Sequence, residues 1–235
     1  MLPKAILFDL DDTIVTEEKA GDIAWEEVCE IISLETGLFD SKLLNTEINR
    51  IRKEFWENPQ KRALGARNIK NARMRIVREA LASIECNNEQ LAETIVNSYT
   101  RLKMEKTSFV PHAEDTLKHL QSCGVKMAVL TNGDGLEQRP RIDRFGISKL
   151  VHTCLIEGEL GFGKPDPRIY QLALTRLGVN TSETWMVGDR LEIDIAGAQQ
   201  LGIFTVWCDY GKKGLPADSK IKPHKIITEI KQLLT

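Results

Sequence analysis

A short unbroken apolar run, Ala5-Ile6-Leu7-Phe8, ends in three acids, Asp9, Asp11 and Asp12. The run reads as a strand covered on both faces, the condition of a strand inside a parallel sheet. Acids at the mouth of such a strand repel one another and lose hydration, so they need a compensating partner. A divalent cation supplies one, since hard carboxylate oxygens suit Mg²⁺. An ordinary acidic turn, with an Asp capping the next helix, accounts for the triplet equally well. The rest of the chain has to decide.

After Thr13 the pattern turns helical. Ala24, Val28, Ile31 and Ile32 line one face, with Gly37 as the stop. Leu44, Ile48, Ile51 and Phe55 mark a second helix ending near Asn58-Pro59. Met74, Val77, Leu81 and Ile84 mark a third, and Ile95, Tyr99 and Leu102 a fourth. Four amphipathic helices in succession predict a small bundle.

From about Ser108 strands and helices alternate. Met127 to Leu130, Val151 to Ile156, Trp185 to Val187 and Phe204 to Trp207 read as strands, and the intervening helices stop at Gly124, Gly178 and Gly202. That alternation predicts an α/β fold, a doubly wound parallel sheet with helices on both faces. The first strand stands apart from the others, so the bundle is an insertion. The expected division is a Rossmann-like core of residues 1–15 plus 108–235 and a helical domain of residues 16–107.

In such a sheet, ligands bind beyond the carboxyl ends of the strands. The small polar and acidic residues fall there: Asp9 and Asp11 after the first strand, Thr131-Asn132 after the second, and Asp189 after the fourth. A further element is Gly163-Lys164-Pro165-Asp166-Pro167. Pro165 pushes Lys164 into an extended conformation, and Asp166 with Pro167 can start a helix, which fixes Lys164 on a defined loop.

These four elements, with Gly188-Asp189-Arg190-Leu191-Glu192-Ile193-Asp194 as the last, resemble the ordered motifs of the haloacid dehalogenase-like hydrolase superfamily. The helical insertion resembles its C1-type cap. The resemblance runs from Asp9 to Trp207 and implies a Mg²⁺-dependent phosphatase of a small phosphorylated metabolite. It implies that Asp9 is the nucleophile that forms an aspartyl-phosphate, and that Asp11 protonates the leaving alcohol and then activates water. Asp9, Asp189 and the backbone carbonyl of Asp11 would hold Mg²⁺, with Asp194 supporting the metal site from outside. Thr131 and the backbone N–H of Asn132 would hold the phosphoryl oxygens, and Lys164 would offset their charge. Asp12 reads as a turn or capping residue. The superfamily's dehalogenases lack an acid two residues after the nucleophile, because a halide leaves without a proton, so Asp11 favours phosphoester chemistry. Finer detail, Leu130 to Asp134, Gln138-Arg139 and Gly188 to Trp207, is similar to N-acylneuraminate-9-phosphate phosphatases, and the Thr-Asn-Gly element also occurs in pyrimidine 5′-nucleotidases. A phosphosugar mutase would use the same Asp9 and Asp11 and stays open. A non-catalytic receiver-like module fits less well, given the inserted helices and Asp11.

A net charge of −2 argues against a protein that coats nucleic acid or an anionic membrane. No apolar stretch approaches the roughly 20 residues of a membrane span. The first strand starts almost at once, which leaves no room for a leader. The five cysteines are dispersed without a CxxC pair, as suits a reducing cytoplasm. The oligomeric state is not legible.

From Arg50 to Ala80 the chain carries ten Lys or Arg against three Glu, and from Glu17 to Glu47 nine acids against two Lys. A basic helix packed beside an acidic one explains both counts. A landing surface for an anionic metabolite is the sharper alternative. Arg62, Arg67 and Lys70 are its candidates, because Gly65 suggests a bend there.

Overall fold

The computed structural model describes residues 2–235, apart from the side chains of Ala63, Ala66 and Arg67. The chain divides into two compact units. One comprises the chain up to Thr16 together with Ser108–Thr235, and the other is Glu17–Thr107.

Among the described residues the first unit is built on six parallel strands: β1 (Ala5–Phe8), β2 (Lys126–Thr131), β3 (Thr153–Ile156), β4 (Thr184–Gly188), β5 (Phe204–Cys208) and β6 (Lys225–Ile227), in the order β3-β2-β1-β4-β5-β6. β1 is central. Ile6 pairs with Met127 on one side and Trp185 on the other, and Phe8 with Val129 and Val187. The pleat sends alternate side chains to opposite faces. Ile6 and Phe8 join a core with Leu117, Leu120, Ile142 and Leu233, while Ala5 and Leu7 join a second core with Ile169, Tyr170, Ala173 and Met186. A strand buried on both faces has no polar side, which is why its sequence is an unbroken apolar run. The strand order reverses beside β1, and Asp9 and Asp189 follow the two strands flanking that switch point. β6 was not anticipated. It is three residues long, and two of them are partly exposed, so no apolar run announces it.

Among the described residues the second unit contains five helices, α1 (Glu18–Thr36), α2 (Ser41–Glu57), α3 (Pro59–Arg67), α4 (Ile69–Ser83) and α5 (Glu89–Lys106). The α-helices of the first unit are α6 (Ala113–Ser122), α7 (Gly135–Arg144), α8 (Glu157–Leu160), α9 (Pro167–Leu177) and α10 (Ala196–Gln199). The apolar stripes of α1, α2, α4 and α5 meet in one core that includes Trp25, Val28, Ile48, Phe55, Val77 and Ile95. Trp25 stacks on Tyr99 with ring centroids 3.7 Å apart. Asp40, Asn58, Asn68 and Asn88 each accept a backbone N–H at the start of α2, α3, α4 and α5. Such a cap stabilises a helix by about 1 kcal/mol. α3 is the helix the periodicity did not reveal, since its sequence carries no apolar stripe. Gly65 is not a bend. It lies inside α3, where an added Cβ would come within 2.8 Å of Phe55 and 2.9 Å of Trp56. The break falls at Asn68, which ends α3 and caps α4.

Candidate active site

The site is assembled from loops at the carboxyl ends of β1, β2 and β4 and from the segment before α9 (Pro167–Leu177). Asp9 continues the ladder of β1, its N–H donating to the Val187 carbonyl at 2.9 Å. The chain then turns tightly. Asp12 takes φ +58°, a conformation Asp tolerates, and its N–H donates to the Val15 carbonyl at 2.6 Å. Asp12 is thus the residue that makes the turn.

Lys164 is brought to Asp9 from far along the chain. Asn132, just past β2, holds the Lys164 backbone at two points: the Lys164 N–H donates to Oδ1 at 2.8 Å, and Nδ2 donates to the Lys164 carbonyl at 2.7 Å. A Cβ on Gly163 would lie 2.6 Å from Asn132 Oδ1 and 2.8 Å from Glu157, so this approach requires glycine. On the other side, Asp166 accepts the Arg168 N–H at 2.9 Å, with Pro167 opening α9. So anchored, the buried Lys164 Nζ donates to Asp9 Oδ1 at 2.5 Å and to Asp194 Oδ1 at 2.7 Å.

Asp194 lies in a π-type turn, Leu191–Ile195, after β4. It is fully buried, and its second oxygen accepts the Arg190 N–H at 3.0 Å. A Cβ on Gly188 would fall 2.4 Å from the Asp194 carboxylate, so glycine here makes room for the acid. Asp189 Oδ1 is buried and meets no hydrogen-bond donor. One oxygen from each of Asp9, Asp189 and Asp194 lies within 4.8 Å of the others.

The electrostatics follow. Burial raises the Asp9 carboxyl to about 7, Lys164 opposing the rise and Asp194 and Asp11 adding to it. Burial also pushes Asp189 up to about 8, helped by Asp9, Asp194 and Asp12. Burial pulls the Lys164 ammonium down, but Asp194 and Asp9 more than offset that and hold it above the ordinary lysine value. Three carboxylates therefore face one ammonium, and one carboxylate oxygen lacks any donor. This all-oxygen, under-neutralised set fits a hard divalent cation such as Mg²⁺.

The Asp11 carboxylate faces elsewhere. It pairs with Arg141 Nη1 through Oδ1 and accepts Gln138 Nε2 at 2.7 Å through Oδ2. Both partners are buried on α7 (Gly135–Arg144). Gln138 Nε2 also donates to Thr131 Oγ1 at 3.0 Å and to the Asn132 carbonyl at 2.9 Å. Sequence reasoning gave Gln138 and Arg141 no role. The available signal was two polar residues three apart beside the apolar Ile142, which puts them on one helix face.

The structure thus gathers Asp9, Lys164, Asp189 and Asp194 in one cluster and Asp11 with Thr131 in an adjoining one. Arg62 and Lys70 belong to the other unit, where both are exposed, and the Arg67 side chain lies outside the described residues. Other bases of the same stretch pair with acids: Arg52 with Asp22 at 2.6 Å across α2 and α1, and Arg75 with Glu79 at 2.7 Å.

Comparison with known proteins shows what the chain is similar to. The chain is 30% identical over 233 residues to a glyceraldehyde 3-phosphate phosphatase of Pyrococcus furiosus, covering 98% of this chain and 91% of that protein. It is 26% identical over 249 residues to the human N-acylneuraminate-9-phosphatase, covering 98% and 92%. A magnesium-bound HAD hydrolase of Bacillus subtilis has the same fold, with a TM-score of 0.76 at 20% identity over 99% of this chain and 97% of that one. The family model for haloacid dehalogenase-like hydrolases matches residues 3–202, most of both units, and the chain belongs to that family.

Proposed function

We propose that this protein is a Mg²⁺-dependent phosphomonoester hydrolase that acts on a small phosphorylated metabolite through an aspartyl-phosphate on Asp9. The observation that carries the reading is the buried Asp9 carboxylate, held by Lys164 at the switch point of the sheet, with a second acid two residues on. The relatives' names, phosphatases of glyceraldehyde 3-phosphate and of an N-acylneuraminate 9-phosphate, support the substrate class.

In the first step an Asp9 oxygen attacks phosphorus, the bond to the alcohol oxygen breaks, and Asp11 gives that oxygen its proton. In the second, Asp11 takes a proton from water as the water oxygen attacks phosphorus, which releases inorganic phosphate and restores Asp9. Thr131 Oγ1 and the Asn132 N–H hold the phosphoryl oxygens, and the Lys164 ammonium offsets their charge. Asp9, Asp189 and the Asp11 carbonyl would hold Mg²⁺, which would supply charge neutralisation at the phosphoryl group. Asp194 serves in support, since both its oxygens are engaged by Lys164 and the Arg190 N–H. An alkoxide leaving group needs an acid and a halide does not, so Asp11 separates this reading from carbon–halogen cleavage. We assign substrate selection to the helical unit Glu17–Thr107, acting as a cap. A reducing, cytoplasmic setting suits the five free cysteines, and among the described residues no helix is long and apolar enough to cross a membrane.

The test is phosphate release from a panel of metabolite phosphates with Mg²⁺, with the organic product analysed. Free phosphate and the bare alcohol are expected. A transferred phosphoryl group with no free phosphate would instead identify a mutase, and no reaction with any ester would overturn both.

A further inference from the structure

The two polar residues on the inward face of α7 are costly to keep. Arg141 and Gln138 are each about 95% buried, at 4% and 5% exposure. Arg141 is buried while its partner Asp11 keeps 28% of its side-chain surface exposed. Burying one charge of a pair adds little net stability relative to a well-packed apolar contact, so stability alone does not account for it. The Gln138 amide is held in a single sense. Its Nε2 meets three acceptors, whereas Oε1 is buried and meets no donor. The reversed amide would set Oε1 against the Asp11 carboxylate and the Asn132 carbonyl. The helix thus leaves one acceptor unsatisfied in order to aim an amide N–H₂ at Asp11 and Thr131.

We propose that Gln138 and Arg141 are positioning residues that orient the Asp11 carboxylate for proton transfer, one residue on each oxygen. Gln138 also ties that carboxylate to the hydroxyl of Thr131 through a single nitrogen. With both oxygens held, Asp11 has no free rotation about its side-chain bonds. Because Thr131 Oγ1 shares the same amide, the acid and the phosphoryl-binding hydroxyl keep a fixed separation. The inference rests on the phosphatase reading above, since proton transfer by Asp11 is part of it. Neither residue touches the reacting atoms, and each acts through Asp11.

The test is a set of variants in the Mg²⁺-loaded protein: Arg141→Ala, Arg141→Lys, Gln138→Met, Asp11→Asn and the double variant Asp11→Asn/Arg141→Ala. Each is assayed on an alkyl phosphate and an aryl phosphate. A catalytic group misplaced by about 1 Å costs on the order of 100-fold, so Arg141→Ala should lower kcat on the alkyl ester by about that factor. The aryl ester should lose much less, KM should hardly change, and Arg141→Lys should restore part of the rate. In the Asp11→Asn background, Arg141→Ala should add no further loss, because its effect passes through Asp11. Losses that multiply in the double variant, or that are equal on both esters, overturn the proposal. Gln138→Met keeps the volume without leaving a charge and guards against a collapse of the fold in Arg141→Ala. Crystal structures of these two variants give a readout independent of turnover. Asp11 should leave its single rotamer, and an unchanged rotamer in both overturns the proposal. Absence of turnover by the wild-type enzyme on every ester would overturn the phosphatase reading instead.

Discussion

In the helical unit Arg50 pairs with Glu47 and Glu54 along α2, and Arg75 with Glu79 along α4, on exposed faces and within one turn of helix. In the sheet unit Lys164 is buried between Asp9 and Asp194, 155 and 30 residues away. The same residue types behave in opposite ways. Hydrogen bonds from Arg50 and Ser83 hold Glu47 below the ordinary carboxylate value, whereas burial raises Asp9 to about 7. Exposed partners three or four apart form cheaply and contribute little. Buried partners need the whole sheet to bring them together, and here they are left short of positive charge. The fold thus maintains a charge imbalance at these residues that the exposed pairs do not show.

The hardest test of that contrast removes Asp9, the nucleophile proposed above. Asp9→Asn should abolish turnover with the fold intact, as an amide does not attack phosphorus. A purified variant that retains even about a tenth of wild-type kcat, far above the loss expected for a nucleophile, would take the role from Asp9.

Next in size is Gly188→Ala. The added Cβ would fall 2.4 Å from the Asp194 carboxylate, so Asp194 must move and Lys164 lose an anchor. Overpacking costs about 1–3 kcal/mol, and kcat should fall at least about tenfold as Lys164 shifts. A variant with unchanged Tm and kcat would show that Asp194 does not need its place.

The third prediction is a pH effect. Asp9 and Asp189 have folded values of about 7 and about 8 against an ordinary 3.8. Between those limits the folded protein holds protons that the unfolded chain has lost. The stability this contributes is fully present below 3.8 and is lost as pH rises through about 7 and 8. Metal-free protein should therefore melt several degrees lower at pH 8 than at pH 6, and Mg²⁺ should raise Tm more at pH 8. Thermal melts with chelator and with Mg²⁺ check this, and a Mg²⁺ shift that is the same at both pH values would contradict it.

The smallest effect belongs to the exposed pairs. Arg50→Ala or Arg75→Ala should shift Tm by no more than about 2 °C and leave kcat unchanged. A larger shift from either would blur the distinction between the units.

Much of the fold was written in local pattern. β1 and the middles of β2 and β4 are unbroken apolar runs because both their faces are covered, β5 is apolar but for Thr205, and the four long helices carry stripes at helical spacing. α3 and β6 escaped because neither has enough buried surface to leave a periodic mark. The third strand begins at Thr153, two residues later than the apolar pattern suggested, since Val151 is buried just before the strand.

The sequence by itself determined which residue types end each strand and which loop carries Lys164, because turns, caps and prolines act over a few residues. It also determined that the strands are buried and parallel, since that demand falls on every side chain of each run. Only the tertiary structure decided what those residues face. Asp11 meets Gln138 and Arg141 across 127 and 130 residues, and Lys164 finds Asp194 as well as Asp9. The missing donor at Asp189 Oδ1 likewise appears only once the strand ends converge. Contacts over such separations depend on the order of strands in the sheet, which no local run of residues encodes.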